Sequence, residues 1–503
     1  MKRRRLTALL LAAVMCFSMT GCGARQSKYG SAFRFPLCAE PAQLDPQMAD
    51  DAASIEVLCA TMEGLTRLSA DGDLLPGIAE TWDTSDDGKT VTFALRDAVW
   101  SNGEKVTADD FAFAFERAVD PATRSPLKEK FANIVSAVAT DARTFTVTLA
   151  DADADFAQKM ASSAFFPCHR AFFESTAGHY GMEAEYVLAN GGFTLSSWTH
   201  GDTLILRKNQ KYYASEEILP DAVRYMLNVS EEETVSLLQT EGLSAAAVTE
   251  EQLAAVKRAG LHTATVYDGL YALWFNTEND ALSSAATRLA LCAAVDRERV
   301  ASVWGTERRT AVGFVPPDAL CGGVPYVDEA DSFAALKSGK QRLAEMPQLT
   351  LLCGEDSESV AIAREILQNW QKRFSLYFKM EKLPVAELSD RLQSGDYELA
   401  LGTVVSVGGT AAESLTMFAS KSEDNVTGLA DKTFDALLQK ALADETRDAC
   451  KKAEERLYAS CPCLPLYYPA RTFAFGDGVE GVNVHPFGGG VFGAVYDFRA
   501  ATK

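Results

Sequence analysis

Alternating hydrophobic and polar residues mark several short β-strands along this chain. Val91, Phe93 and Leu95 are separated by polar or small residues, and the same two-residue period recurs at Thr144–Leu149. A period of two is that of a strand with one buried face. Residues 86–89, Asp-Asp-Gly-Lys, predict a tight turn before the first strand, because a glycine tolerates a positive φ.

A helix is predicted directly after this strand region. Thr107 is a suitable N-cap, and Asp109 and Asp110 would lie in the first turn, where the helix dipole favours negative charge. Phe111 opens an apolar series at helical spacing, and Pro121 ends it. The segment from Pro76 to Pro121 therefore reads as strands, a turn and an amphipathic helix, with no evident catalytic group.

In the rest of the chain, segments with the two-residue period of a strand alternate with segments at helical spacing. Further strands are predicted at 203–207, 223–229, 245–248, 261–267, 271–276, 349–353, 376–382, 396–401 and 464–468. Further helices are predicted at 231–238, 250–258, 287–303, 360–374, 434–443 and 446–460. Such alternation favours α/β lobes, and 503 residues exceed what one hydrophobic core usually holds.

The amino terminus has the organisation of an export signal. Lys2 to Arg5 form a basic region, an apolar run from Leu6 to Phe17 follows, and Gly21 precedes Cys22 as in a bacterial lipobox. We expect residues 1–21 to be a lipoprotein signal peptide, Cys22 to carry the lipid, and residues 22–30 to be a tether. The alternative is an ordinary cleaved signal in which Cys22 is incidental.

The charge of the chain excludes some partners. Its formal net charge is −21, and removal of residues 1–21 takes away four basic charges and no acidic one, which gives −25. Such an acidic protein is a poor partner for nucleic acid and for an anionic membrane surface. The membrane contact would therefore be made by the lipid alone.

The cysteines and histidines do not form a recognisable metal motif. Besides Cys16 and Cys22 there are nine cysteines, at positions 38, 59, 168, 292, 321, 353, 450, 461 and 463. An odd number leaves at least one unpaired in a monomer, and most are expected to be buried apolar residues. The five histidines include no H-E-x-x-H pair, so we predict no metal site and no cofactor.

One hydrolase motif has to be weighed. Residues 125–128, Ser-Pro-Leu-Lys, match the S-x-x-K pattern of penicillin-binding serine enzymes. Pro126 disfavours the helical conformation at Ser125, and no convincing second motif follows. The prediction is that the chain is not an enzyme, with this serine hydrolase as a remote alternative.

Short motifs along nearly the whole mature chain resemble one family, the peptide/nickel family of bacterial extracellular solute-binding proteins. This family includes the oligopeptide- and dipeptide-binding lipoproteins of ABC importers. The motifs, in order, are Leu44-Asp45-Pro46, Glu63-Gly64-Leu65, residues 76–82 (PGIAETW), 92–96 (TFALR), 100–103 (WSNG), 109–111 (DDF), 190–193 (NGGF), 275–277 (FNT), 294–297 (AVDR) and 465–468 (PLYY). Each motif is weak alone, but the ordered series is specific.

The resemblance implies a fold and a domain division. It implies an α/β fold of mixed α+β lobes, a periplasmic-binding-protein-like clamshell of the large three-domain type. Domain I would comprise 31–67, 188–268 and 470–503, domain II would be inserted at 68–187, and domain III at 269–469 would be the opposing jaw.

The resemblance also implies a role. The protein would be a monomer, lipid-anchored on the extracytoplasmic face of the cell membrane. It would capture a peptide or peptide-like solute and deliver it to an ABC permease with its ATPase. The alternatives are a binding protein for a nickel chelate, an opine or a sugar, and a sensor lipoprotein.

Three segments are implied to contact the solute. The candidate residues are Asp50, Asp51 and Ala52, then Tyr267, Gly269, Tyr271 and Ala272, and finally Thr403, Val404, Val405, Ser406 and Val407. Many peptide binders of the family carry a tryptophan in the third segment and, a few residues later, an aspartate that pairs with the peptide ammonium. Here those positions fall at Val404 and Val407. A buried ammonium without a carboxylate is costly, so a blocked peptide or another solute stays open.

Overall fold

The computed structural model describes residues 32–37, 39–69, 74–153, 156–303, 308–321, 324–327, 343, 346–405, 409–422, 424–444, 446–484 and 496–502. The described strands are β1 Phe33–Pro36, β2 Thr66–Leu68, β3 Leu74–Pro76, β4 Ala79–Thr84, β5 Thr90–Leu95, β6 Ile134–Asp141, β7 Thr144–Leu149, β8 Phe193–Thr199, β9 Thr203–Lys208, β10 Ala222–Met226, β11 Ala245–Val248, β12 His262–Val266, β13 Gly269–Phe275, β14 Arg309–Thr310, β15 Leu320–Cys321, β16 Val324–Pro325, β17 Thr350–Gly354, β18 Lys379–Leu383, β19 Leu399–Val405, β20 Cys463–Tyr468, β21 Arg471–Phe475, β22 Asn483–Val484 and β23 Tyr496–Asp497.

The described α-helices alternate with these strands. They are α1 Ala52–Thr61, α2 Ala108–Val119, α3 Phe156–Lys159, α4 Arg170–Ser175, α5 Glu231–Gln239, α6 Glu250–Ala259, α7 Ala285–Ala293, α8 Arg297–Ala301, α9 Ser357–Phe374, α10 Val385–Gln393, α11 Ala411–Leu415, α12 Lys432–Asp444 and α13 Arg447–Ser460. Short 3-10 helices lie at Lys128–Phe131, Ser163–Phe165, Ala184–Tyr186, Ser215–Glu217 and Thr416–Phe418. The predicted mixture of helices and strands is confirmed.

The first large core contains two four-stranded sheets. One has the order β4-β5-β7-β6 and is antiparallel; the other has the order β1-β10-β9-β8, with only β1 parallel to its neighbour. Val91, Phe93 and Leu95 are buried, as the alternation predicts. Side chains of both sheets belong to one continuous apolar cluster, which we call the first core.

Helix α2 begins where the sequence predicts, and its cap explains part of the motif series. The Asp110 carboxylate accepts hydrogen bonds from the Thr107 backbone N–H (2.8 Å) and from Trp100 Nε1 (3.2 Å). Burial raises the pKa of Asp110, although these donors act in the opposite direction. Asp110 and Trp100, which both belong to the family motifs, therefore stabilise the fold together.

A buried ion pair joins α2 to the Leu44-Asp45-Pro46 motif. Arg117 of α2 donates to both carboxylate oxygens of Asp45, at 2.6 and 3.2 Å, and to Gln47 Oε1 at 2.8 Å. The guanidinium also lies 4.0 Å from the centroid of the Phe173 ring. This bidentate geometry holds two segments together that are 72 residues apart.

The second core is built on one six-stranded sheet with the order β14-β20-β13-β19-β17-β18. Strand β17 is parallel to β18 and β19, whereas β13 is antiparallel to both β19 and β20. The buried cluster around this sheet runs from Leu270 to Tyr468.

The chain passes twice between the two cores. Val266 and Phe473 belong to the first core, whereas Leu270 and Tyr468 belong to the second. Residues 267–269 and 469–472 are therefore the crossing segments. The small sheet β11-β21-β12 lies beside them. The boundaries between the three predicted domains stay a prediction.

One predicted helix is wrong in extent. The sequence predicts a single helix at 287–303, but the structure has α7 and α8 with a break at residues 294–296. Asp296 accepts from the Arg299 backbone N–H at 3.0 Å and caps α8. The capping aspartate therefore starts a new helix, although the apolar pattern continues through this point. Among the described residues, none of the helices has the length and hydropathy required to cross a membrane.

Candidate binding site

The candidate residues of the second core meet at one edge of its sheet. In the register, Gly269 lies opposite Val405, and Tyr271 lies opposite Thr403. Opposed residues share a face, and alternate residues along a strand do too. Gly269, Tyr271, Thr403 and Val405 therefore occupy one face, while Leu270, Ala272 and Val404 occupy the other. Carboxyl ends of the parallel strands β17, β18 and β19 meet at the same edge, the usual position of ligand sites in α/β sheets.

These residues differ in exposure. Thr403 is exposed and Val405 is 53% exposed, whereas Val404 is half-buried. Tyr271 retains 6% exposure and Ala272 none. The last two predicted residues of this segment, Ser406 and Val407, lie outside the described residues.

The Tyr271 side chain contacts two neighbouring elements. Its ring is stacked on that of Tyr467 from β20, with centroids 4.5 Å apart and 13° between the planes. Its hydroxyl lies 3.4 Å from Ser359 Oγ in the first turn of α9. Burial raises the pKa of Tyr271 well above its usual value, so the phenol is neutral at physiological pH. This edge of the sheet thus has a rigid aromatic floor.

A charged cluster that the sequence reasoning missed lies beside this floor. Arg308 donates to Glu358 Oε1 of α9 and to the Tyr467 hydroxyl at 2.6 Å. Its other terminal nitrogen lies 3.3 Å from Glu250 Oε2, in the first turn of α6. Burial raises the pKa of Glu358, although Arg308 opposes the shift. Arg308 therefore links the second core to a helix on the other side of the crossing segments.

The crossing segments themselves are held by two carboxylates. The Tyr267 backbone N–H donates to Asp318 Oδ2 at 2.5 Å, and Arg471 Nε donates to Asp268 Oδ1 at 3.1 Å. Burial raises the pKa of both aspartates, and the proximity of Asp268 adds to the shift of Asp318. The half-buried Tyr267 thus lies beside an ion pair, Asp268–Arg471, that joins the two crossing segments to each other.

The first predicted segment lies at the start of α1. Asp51 is the N-cap of this helix and accepts from the Ser54 N–H at 2.8 Å and from Ser54 Oγ at 2.5 Å. Asp50 and Ala52 are exposed. The Asp51 carboxylate is therefore engaged in capping, whereas the Asp50 carboxylate faces solvent.

The Lys130 ammonium interacts electrostatically with Asp50, beside the start of α1, and with Asp424 of the second core. Surrounding atoms desolvate its ammonium and lower its pKa, although the residue keeps exposed surface; the carboxylates of Asp424 and Asp50 oppose the shift. A direct contact also joins the two cores, because Gln158 Nε2 of α3 donates to Glu413 Oε1 of α11 at 2.7 Å. Residues 50, 130, 158, 413 and 424 therefore border a region where the cores face each other.

A separate pocket of about 320 Å³ opens at the surface of the second core, where the exposed Arg447, Lys451 and Glu455 line it. Tyr468 lines it, and this residue points to the opposite side of β20 from Tyr467. The buried Glu454 in its wall accepts from the Phe314 N–H (2.8 Å) and from the Tyr326 hydroxyl (2.9 Å). These hydrogen bonds hold Phe314 and Tyr326 against α13.

Ser125 has a structural role in the first core. Its hydroxyl donates to the Gln47 carbonyl oxygen at 2.5 Å, and its oxygen accepts from the Leu127 N–H at 3.1 Å. The S-x-x-K serine therefore stabilises a turn. Within the part of the chain that the structure describes, no group of three or more His, Cys, Asp or Glu residues is placed to hold a metal ion.

The two cores, the double crossing and the polar edge between them are typical of clamshell solute-binding proteins. Residues 73–426 match the sequence model of "Bacterial extracellular solute-binding proteins, family 5 Middle". The chain belongs to this family.

Relatives extend the similarity over nearly the whole chain. The oligopeptide-binding protein OppA of Bacillus subtilis (strain 168) is 27% identical, covering 96% of this chain and 97% of OppA. The dipeptide-binding protein DppE of the same strain is 26% identical, covering 97% and 98%. The unliganded open form of the murein tripeptide-binding protein MppA superposes with a TM-score of 0.75 at 22% identity, covering 93% and 97%. The predicted clamshell fold and the prediction of a non-enzymatic protein are confirmed.

Proposed function

We propose that the protein captures a peptide or peptide-like solute between its two cores and delivers it to an ABC permease with its ATPase. The observation that carries this proposal is the strand register that brings Gly269, Tyr271, Thr403 and Val405 to one face at the cleft edge. The relatives named as oligopeptide- and dipeptide-binding proteins give the solute class.

The chemistry of this edge suits a solute of mixed character. Val405 offers exposed apolar surface, Thr403 a hydroxyl group, and Tyr267 a half-buried phenol. The described end of β19 carries no charge, so a ligand ammonium would have to pair with a carboxylate on a facing segment, and Asp50 is the candidate that the family resemblance implies. A solute without a free ammonium is the second candidate.

Closure would use the two crossing segments as hinges. Under the three-domain division, domain III at 269–469 turns about residues 267–269 and 469–472 relative to the other two domains. A ligand drives this motion only by its higher affinity for the closed state. Asp50, Asp51 and Ala52 then approach the Tyr271 edge from the opposing jaw.

The mature protein is proposed to be a monomer held at the extracytoplasmic face of the cell membrane by a lipid on Cys22. Residues 22–30 serve as its tether. The sequence order of basic region, apolar region and Gly21-Cys22 supports this location. A sensor role without transport is the alternative, and genes for a permease and an ATPase beside this gene would argue against it.

The first experiment is mass spectrometry of solute released from the purified mature protein. A peptide or acylated peptide is the expected finding, whereas a sugar or a nickel chelate would contradict the peptide assignment.

Affinity for the identified solute then tests the site. Val405→Arg, which places a charged side chain on the cleft edge, should weaken binding at least tenfold, about 1.4 kcal/mol. Val138→Arg is the matched control, because Val138 is 50% exposed on β6 of the other core. Equal affinity of both variants in calorimetry would contradict the site.

A further inference from the structure

Two cysteines that are distant in sequence meet in the second core. Cys292 on α7 and Cys461, which follows α13, are separated by 169 positions, and their sulfur atoms lie 3.3 Å apart. Cys292 is 3% exposed and Cys461 is fully buried. Two thiols in contact at this distance need only a small rotation to reach the bond length of a disulfide, about 2 Å.

The backbone around this pair is held in place by a buried arginine. Arg288, one turn before Cys292 on α7, donates from Nε to the Cys461 carbonyl oxygen at 2.9 Å and also to the Ser460 carbonyl oxygen. Cys461 has a φ of +47°, in the left-handed region, and its N–H donates to the Leu457 carbonyl oxygen at 2.7 Å. The helix end and α7 are thus fixed against each other independently of the sulfur atoms.

We propose that Cys292 and Cys461 are joined by a disulfide bond when the chain folds outside the cytoplasm. Family 5 proteins are extracellular, and disulfides form and persist in oxidising compartments. The bond would join α7 to the start of β20, the strand that carries Tyr467 to the cleft edge.

The oxidant would be an oxidised dithiol, such as the disulfide of a thiol oxidoreductase. The thiolate of one cysteine attacks that disulfide to give a mixed disulfide, and the second thiolate then displaces the oxidant's sulfur. Two S–H bonds are lost, one S–S bond forms, and two electrons and two protons reduce the oxidant to a dithiol. Burial raises the pKa of Cys292 far above its usual value, so the exchange belongs to the folding stage, before α7 is covered.

A peptide map of the exported protein tests the proposal. The protein is denatured, its free thiols are alkylated without reductant, and it is digested with trypsin. The expected product is peptide 289–297 linked to peptide 457–471, with one alkyl group on Cys463 and two hydrogen atoms fewer than the sum of the two peptides. Recovery of both peptides in alkylated form would overturn the proposal.

Variants assign the bond to individual sulfur atoms. Cys463 lies on the same tryptic peptide as Cys461, so Cys463→Ala should keep the link and Cys461→Ala should abolish it. A link that survives only in Cys461→Ala would overturn the assignment. Cys353→Ala, at an equally buried cysteine of the same core, is the matched control and should keep the link.

Reductant provides a readout in the folded protein. Thermal unfolding of the oxidised wild type should shift to lower temperature after reduction, because the crosslink restricts the unfolded chain. Cys292→Ala should unfold at the same temperature with and without reductant. A wild type that shows no shift would contradict the crosslink.

Discussion

Replacing Arg117 by methionine should strongly destabilise the first core. The substitution removes donors to both oxygens of the Asp45 carboxylate and to Gln47 Oε1, while an unbranched side chain stays beside the Phe173 ring. Asp45 and Arg117 are each 7% exposed at the side chain, so water cannot replace the lost donors. The Asp45 carboxylate would keep the Gln47 backbone N–H, at 3.1 Å.

The magnitude follows from this geometry. Removing one partner of a buried ion pair costs about 3–5 kcal/mol, because the remaining charge is uncompensated. The retained Gln47 N–H places the expected loss near the lower limit, at about 3 kcal/mol. With a urea dependence of about 3 kcal/mol per molar, the unfolding midpoint should fall by about 1 M.

Urea unfolding followed by tryptophan fluorescence is the assay. The two cores are expected to unfold in separable transitions, and Trp100 and Trp198 report on the first core. Exchanging both partners for apolar residues, Asp45→Leu with Arg117→Met, should recover much of the loss, because no unpaired charge remains. A shift below about 0.3 M for Arg117→Met, or a double variant as unstable as the single one, would refute the reasoning.

Three further predictions concern stability, the anchor and closure. Asp431 accepts from Ser460 Oγ (2.7 Å) and pairs with Arg456 (2.7 Å); although burial acts in the opposite direction, these partners lower its pKa below the ordinary 3.8. Because the pKa of Asp431 is lower in the folded than in the unfolded chain, its ionised carboxylate stabilises the fold above pH 3.8, and this contribution is lost as the pH falls through the folded-state pKa. Asp431→Asn should therefore lower the free energy of unfolding by about 1 kcal/mol at neutral pH and by less at pH 3, as measured by chemical denaturation. Cys22→Ser should move the protein from the membrane to the soluble fraction, and continued sedimentation with membranes would contradict the lipid anchor. Saturating solute should reduce the radius of gyration in X-ray scattering, and an unchanged curve would contradict a closing clamshell.

Much of the fold could be predicted because its signals are local. The strand at Thr90–Leu95 and the helix at Ala108–Val119 follow from alternation, a turn and a capping residue within a few positions. The prediction of one helix at 287–303 was wrong because a single capping aspartate, Asp296, interrupts an apolar pattern that is otherwise continuous.

Less of the candidate site could be predicted. Tyr467 lies within a motif that the sequence comparison uses, yet nothing local indicates that its ring stacks on Tyr271. Arg308 belongs to no motif, and its partners Glu250 and Glu358 lie 58 residues before it and 50 residues after it. A single arginine outside any helical or strand pattern offers no periodicity from which a partner could be inferred.

By itself, the sequence determined the mixed α/β character and the family resemblance, and it predicts an export signal, since each depends on residues that are close together in the chain. Only the tertiary structure decided which side chains meet. The register of β13 with β19 and β20 brings Gly269, Tyr271 and Thr403 together with Tyr467, and the fold also places Cys292 against Cys461. These contacts depend on strand pairing and helix packing between residues more than 130 positions apart. A local hydrophobic pattern does not specify which distant strand pairs with a given strand.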